Sequence, residues 1–170
     1  GGITLTGGEV TWQADFAGAV LEGCKAAGLH TAIETCGACS WARLASLLPY
    51  TDLVLYDLKL IDGEAHRLWT GAQNGQILEN AERLAGHNVQ VRVPLIPGVT
   101  DMDANLEGIF TFMRRVGLDS VALLPYNVSA GAKYEWLGKT YELNGQTQSQ
   151  DQLDRFVAMA HRTGVEAVVG

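Results

Sequence analysis

Six short runs rich in β-branched and apolar residues recur along this chain, and a stretch with helical spacing separates most of them from the next. The runs are GITLT (Gly2–Thr6), TAIET (Thr31–Thr35), LVLYDLK (Leu53–Lys59), VQVRVPLIPG (Val89–Gly98), SVALLPY (Ser120–Tyr126) and the closing EAVVG. Between them, Phe16, Val20, Leu21 and Cys24 are spaced for one helix face before a stop at Gly28. Trp41–Leu48 reads as a short helix ended by Pro49, and Ile77–Ala85, Leu106–Val116 and Leu153–His161 read as three more. Strand–helix alternation of this kind predicts an α/β fold with a parallel sheet, because parallel strands need crossovers and helices supply them. Most of the strands are continuous apolar runs, as expected for a sheet covered by helices. The polar stretch Asn127–Gln150 is too long for a plain connector, and such loops are usually functional.

At 170 residues the chain is expected to form one domain, residues 1–170. A net charge of −7 argues against nucleic acid or an anionic membrane as partner. No apolar run approaches the roughly 18 residues of a membrane span. Three cysteines, Cys24, Cys36 and Cys39, make a poor disulfide framework, so the chain reads as cytoplasmic with reduced thiols.

Polar residues gather near the C-terminal ends of the strands. The first strand runs into Gly7-Gly8-Glu9, the second ends in Glu34-Thr35, and the third carries Asp57 and Lys59. The fourth carries Arg92, and the fifth leads to Tyr126-Asn127. In parallel α/β folds that face is where ligands bind. Asp57 and Lys59 are two apart on a strand and point the same way. They form a structural ion pair or bind a ligand. Gly7-Gly8 is either a turn needing positive φ or a place where a ligand meets bare backbone. It is neither a GxGxxG nor a phosphate loop. Strand-end carbonyls with Glu9 suit an ammonium group, and Lys59 suits a carboxylate, so a free amino acid moiety fits. Cys36-Gly-Ala-Cys39 is a lone C-x-x-C without a second half, which is read as chance or core cysteines rather than a redox pair or half a zinc site.

Six segments in order carry a resemblance. They are GGITLTGGE, HTAIETCG, LVLYDLKLID, HRLWTG-x-x-N-x-x-IL-x-N, VRVPLIPG-x-x-D and LLPYN-x-x-AGAKY-x-WLGKTY. Together they span Gly1 to Tyr141, and the chain resembles the glycyl-radical-enzyme activating enzymes, the family of pyruvate formate-lyase activating enzyme. The resemblance implies a radical S-adenosyl-L-methionine (SAM) oxidoreductase of anaerobic metabolism on a partial (β/α)6, TIM-like barrel. In that family a 4Fe-4S cluster, held by a CxxxCxxC loop, chelates SAM. One-electron reduction cleaves SAM, and the resulting radical takes a hydrogen atom from a backbone glycine of a partner glycyl radical enzyme. The electron comes from a donor such as flavodoxin or ferredoxin.

Carried over by position, Gly7, Gly8 and Glu9 match the motif that holds the SAM amino group. Glu34 and Thr35 match the pair ending the next strand, and Asp57 and Lys59 match a D-L-K motif that contacts SAM, which makes them the candidate catalytic residues. Arg92 matches a cavity arginine, and Asn127 replaces a histidine near the cofactor. Val10 stands where the family often has proline, and Glu34 where it has aspartate. The CxxxCxxC is absent, so the resemblance implies a fragment, with the first strand and the cluster cysteines expected before Gly1 and no metal ligand in this chain. A fragment is expected to be inactive alone. The unpartnered edge of Gly2–Thr6 would favour dimerisation or poor solubility. Lys133, Tyr134 and Trp136 are candidates for touching the partner's glycine loop. The alternatives are a cluster-free barrel serving as a binding or scaffold module, and an ordinary barrel enzyme using Asp57 and Lys59 for acid–base work.

Overall fold

A computed structural model of the chain describes residues 1–130 and 145–170. Lys133, Tyr134 and Trp136 lie outside the described residues. Six strands, β1 (Gly2–Leu5), β2 (His30–Thr35), β3 (Leu53–Asp57), β4 (Val89–Pro94), β5 (Ser120–Leu124) and β6 (Glu166–Val169), form one sheet. They lie in chain order and every neighbouring pair is parallel. The helices are α1 (Ala14–Ala26), α2 (Trp41–Leu47), α3 (Gly63–Thr70), α4 (Gly75–Arg83), α5 (Asp103–Val116) and α6 (Gln150–Arg162). A sheet whose parallel strands follow chain order keeps its right-handed crossovers on one side, as in a partial barrel.

The register shows which side. Ile33, Val54 and Val89 stand in one row across the sheet, and Tyr56, Val91 and Val121 stand in the next. All are buried, and they form one core with Leu21 of α1, Leu44 and Leu47 of α2, Ala81 of α4, Ile109 and Phe110 of α5 and Phe156 of α6. The alternate positions, among them Glu34, Leu55, Asp57 and Arg92, face the other way and are only partly buried. One face is therefore packed under helices and the other stays open. The strands that read as unbroken apolar runs are half-covered, because the open face of a partial barrel is its interior.

Several elements differ from the sequence pattern. The apolar runs continue past the strands, which stop at Leu5, Asp57, Pro94 and Leu124. Phe16 is 69% exposed, while Ala17 and Leu21 face the core. At 100° per residue Phe16 lies about a quarter-turn off the buried line. Helix α3 has no apolar stripe to reveal it, since Leu68 and Trp69 are exposed and His66 is its buried residue. Its ends are nevertheless well made. Asp62 Oδ1 accepts the Ala65 N–H at 2.8 Å, and Gly71 closes the helix in the left-handed conformation. β1 and β6 are the two edges of the sheet. Among the described residues no helix is long and apolar enough to cross a membrane.

Candidate functional site

The C-terminal ends of β1, β2 and β3 enclose a cavity of about 140 Å³. Thr6, Gly7, Gly8, Glu9, Glu34, Thr35, Cys36, Asp57 and Lys59 line it. A second cavity of about 260 Å³ shares Thr6, Gly7, Gly8 and Glu9 and is lined beyond them by Val10, Gln13, Phe16 and Ala17. A side chain added at Gly7 or Gly8 would meet nothing within 4 Å, and Gly7 has φ of +148°. The two glycines thus present bare backbone to open space.

Glu9 closes this end of the site. It caps the 3-10 turn Val10–Gln13, its Oε1 accepting from the Thr11 N–H at 3.3 Å and the Thr11 hydroxyl at 3.1 Å. The Thr35 hydroxyl donates to the same oxygen at 2.7 Å. The Cys36 N–H and thiol donate to Oε2 at 3.1 and 3.2 Å. Burial opposes the charge, but donation from Thr35, Cys36 and Thr11 outweighs it and holds the carboxyl below its usual range. Every one of these donors is neutral, so the negative charge of Glu9 meets no cation among the described residues.

Across the cavity the register sets Asp57 directly beside Arg92. The Arg92 guanidinium donates from Nε and Nη2 to Asp57 Oδ1, at 3.0 and 2.7 Å, and also to Glu34 Oε1. Donation from the Thr6 hydroxyl and from Arg92, against partial burial, keeps Glu34 below the ordinary carboxylate range. Burial works against the Arg92 charge, yet the two carboxylates raise its affinity for the proton. Lys59 Nζ stands 3.4 Å from Asp57 Oδ2 and remains about one-third exposed. The group as a whole holds three carboxylates and two cations. It favours a ligand with net positive charge that also carries a carboxylate for Lys59.

The structure therefore brings together Gly7, Gly8, Glu9, Glu34, Thr35, Asp57 and Lys59, with Arg92 bridging two of them. Asn127 stands apart, exposed, its Oδ1 accepting the Ser129 N–H at 2.9 Å. Thr6 and Cys36 also line the site, although the sequence reads them as the end of a strand and as half of a chance C-x-x-C. Cys36 gets there through its own turn. Gly37 has φ of +69°, and the Asn80 amide on α4 donates to the Gly37 and Cys39 carbonyls, both at 2.9 Å. Burial, first of all, pushes both thiols up, so they stay protonated.

Comparison with known proteins places the chain. The sequence model of the Radical SAM superfamily matches residues 1–107. The trans-4-hydroxy-L-proline dehydratase activating enzyme of Clostridioides difficile is 37% identical over the whole chain. The choline trimethylamine-lyase activating enzyme of Oleidesulfovibrio alaskensis is 40% identical over 89% of it. The chain belongs to the radical SAM superfamily, and these curated relatives are activating enzymes. A solved domain of pyruvate-formate lyase-activating enzyme from Bacteroides vulgatus superposes with a TM-score of 0.84 at 25% identity, covering 100% of this chain and 99% of that one. Streptococcus suis SuiB, at 12% identity and a TM-score of 0.77, shares the fold. The chain covers 58% and 51% of the two curated relatives' lengths.

Membership in this superfamily implies SAM and a 4Fe-4S cluster. The cavity's bare glycine backbone and unneutralised Glu9 fit the amino acid end of SAM. A cluster does not fit the residues described, because no group of three or more cysteine, histidine or acidic side chains is placed to hold a metal ion. Cys24, Cys36 and Cys39 are free and partly buried.

Proposed function

We propose that this chain is the SAM-binding part of an activating enzyme that generates a glycyl radical on a partner protein. The observation that carries this reading is the pairing of Glu9, an ionised carboxylate with only neutral donors, with Lys59 across a cavity walled by Gly7 and Gly8. Glu9 and the strand-end carbonyls would receive the ammonium group, and Lys59 the carboxylate. Asp57 and Arg92 would orient Lys59 through their own contacts, and Glu34 and Thr35 would set the floor and rim. When bound and reduced by one electron, SAM supplies the radical that removes the glycine hydrogen. No side chain here is the redox agent, which accords with cofactor-borne chemistry.

The relatives are named for the dehydratase or lyase that each activates, which supports a glycyl radical enzyme as the protein substrate. A low-potential donor of the flavodoxin or ferredoxin kind would supply the electron, in the cytoplasm. The test uses the full-length protein, purified without oxygen, with its cluster reconstituted and dithionite and SAM supplied. Release of 5′-deoxyadenosine is expected. A loaded cluster with no 5′-deoxyadenosine would overturn the reading.

A further inference from the structure

The strand that carries Asp57 ends there, but the chain continues toward the cavity as Leu58-Lys59-Leu60-Ile61. The Leu58 N–H still donates to the Arg92 carbonyl at 3.0 Å, and after that the backbone leaves the sheet. Backbone that leaves a sheet must satisfy its polar groups elsewhere. Here two asparagine side chains serve that purpose. Asn105, in the first turn of α5, donates from Nδ2 to the Lys59 carbonyl at 3.0 Å and to the Thr100 carbonyl at 2.8 Å. Its Oδ1 accepts the Ile61 N–H at 2.9 Å. Asn74, the residue before α4, makes no side-chain cap and instead donates from Nδ2 to the Leu60 and Ile61 carbonyls at 3.0 and 2.9 Å. Both asparagines are buried, at 8% and 5% exposure.

Apolar burial already anchors this segment, since Leu58 and Leu60 are both buried in the protein. What the two amides add is direction. They fix three successive carbonyls and one N–H, and the residue among them that lines the cavity is Lys59. A lysine reaches through four flexible methylenes, so where its backbone stands decides what its ammonium can reach.

We propose that Asn105, assisted by Asn74, is a positioning residue that straps the backbone of Lys59 so that its ammonium addresses a ligand in the cavity. This rests on the reading of the cavity as the SAM site. The strap joins that site to the first turns of α4 and α5, two helices that line none of it.

The test is a double-mutant cycle on the full-length, cluster-loaded protein, read by SAM affinity, together with hydrogen exchange at the Ile61 amide without SAM. Asn105→Ala should raise the dissociation constant about ten-fold, as expected when a buried hydrogen-bonding partner is lost. It should also speed exchange at Ile61. In a Lys59→Met background the same change should alter affinity by less than about two-fold, because coupled sites are not additive. Additive losses would overturn a role exerted through Lys59, and unchanged Ile61 exchange would overturn the strap itself. Should Asn105→Ala not fold, Asn74→Ser frees the Leu60 and Ile61 carbonyls and is carried through the same cycle. A wild-type protein that binds no SAM overturns the cavity reading and with it the ligand half of the proposal, while the exchange measurement still decides the strap.

Discussion

The Thr35 hydroxyl donates to Glu9 Oε1 over 2.7 Å and joins residues 26 apart in sequence. It also accepts the Gly37 N–H at 3.0 Å, so one buried hydroxyl ties the turn after β1 to the turn after β2. Glu34, its neighbour, faces the opposite side of the same strand and meets Arg92. Two consecutive residues thus serve two walls of one cavity, as the period-two geometry of a strand requires.

Thr35→Val keeps the shape and removes both bonds. It leaves Glu9 short of a donor and the Gly37 N–H without its acceptor. The loss of stability should be about 1–3 kcal/mol, the range for a buried polar group deprived of its partner. Thr35→Ser should recover most of it. Urea denaturation measures both, and a valine variant as stable as wild type would mean that the bond contributes nothing to the fold.

Glu9 also makes a pH prediction. Its folded-state pKa lies below the usual glutamate value of 4.5, so the unfolded chain binds the proton more tightly. The stability it contributes is therefore present above about pH 4.5 and is lost as pH falls through the lower folded value. Glu34 is shifted the same way and adds to the same acid limb. Melting temperatures should fall below that range in the wild type and fall less steeply in Glu9→Gln. Parallel slopes for the two proteins would remove Glu9 from the account.

Two glycines in this region should respond in opposite ways. A Cβ at Gly37 would stand 1.7 Å from the Tyr56 hydroxyl, which is held by its bond to the Ile77 carbonyl, and φ there is +69°. Gly37→Ala should be grossly destabilised or insoluble. A Cβ at Gly8 would meet nothing within 4 Å. Gly8→Ala should fold as well as wild type and bind SAM more weakly, because the new methyl enters the space where the ligand meets backbone. Thermal melts and a binding titration on the same preparations separate the two effects. A Gly8→Ala protein with unchanged affinity would return Gly7-Gly8 to the status of a turn.

How much of this was legible in the sequence depended on the kind of signal. The gathering of Glu9, Glu34, Asp57 and Lys59 followed from strand period and from the rule that parallel strands present ligands at one end. That Arg92 lies beside Asp57 was not legible, because register between two strands far apart in the chain is set by core packing across the whole sheet. Cys36 reads as one more buried thiol until the Gly37 turn and Asn80 fold it back toward Glu9. Asn74 and Asn80 stand in one of the segments that carry the resemblance and Asn105 in none, yet only the fold shows that all three satisfy backbone carbonyls beyond the strand ends. Phe16 misleads for a simpler reason: an aromatic residue draws a helix face toward itself, yet Ala17 and Leu21 define the buried line.

Arg92 provides the last prediction. Its side chain is 15% exposed and holds Asp57 and Glu34 together. Arg92→Met removes the shared cation and leaves two carboxylates on one face of the sheet. Breaking such a pair is costly mainly because of the charge left behind. The variant should therefore lose stability, and Asp57→Asn in the same protein should restore part of it. Arg92→Lys keeps the charge but not the planar fork that reaches both partners, so it should fall between wild type and Arg92→Met. Binding should follow a different order. With Arg92 gone, Asp57 has only Lys59, now 3.4 Å away, as its cation. The ammonium should turn toward Asp57 and away from the cavity. SAM affinity should then drop in Arg92→Met and recover in the double variant with Asp57→Asn, where Lys59 is released. Urea midpoints and SAM titrations on the four proteins read both orders. A double variant that binds no better than Arg92→Met would show that Arg92 acts on the ligand by a route other than the charge balance between Asp57 and Lys59.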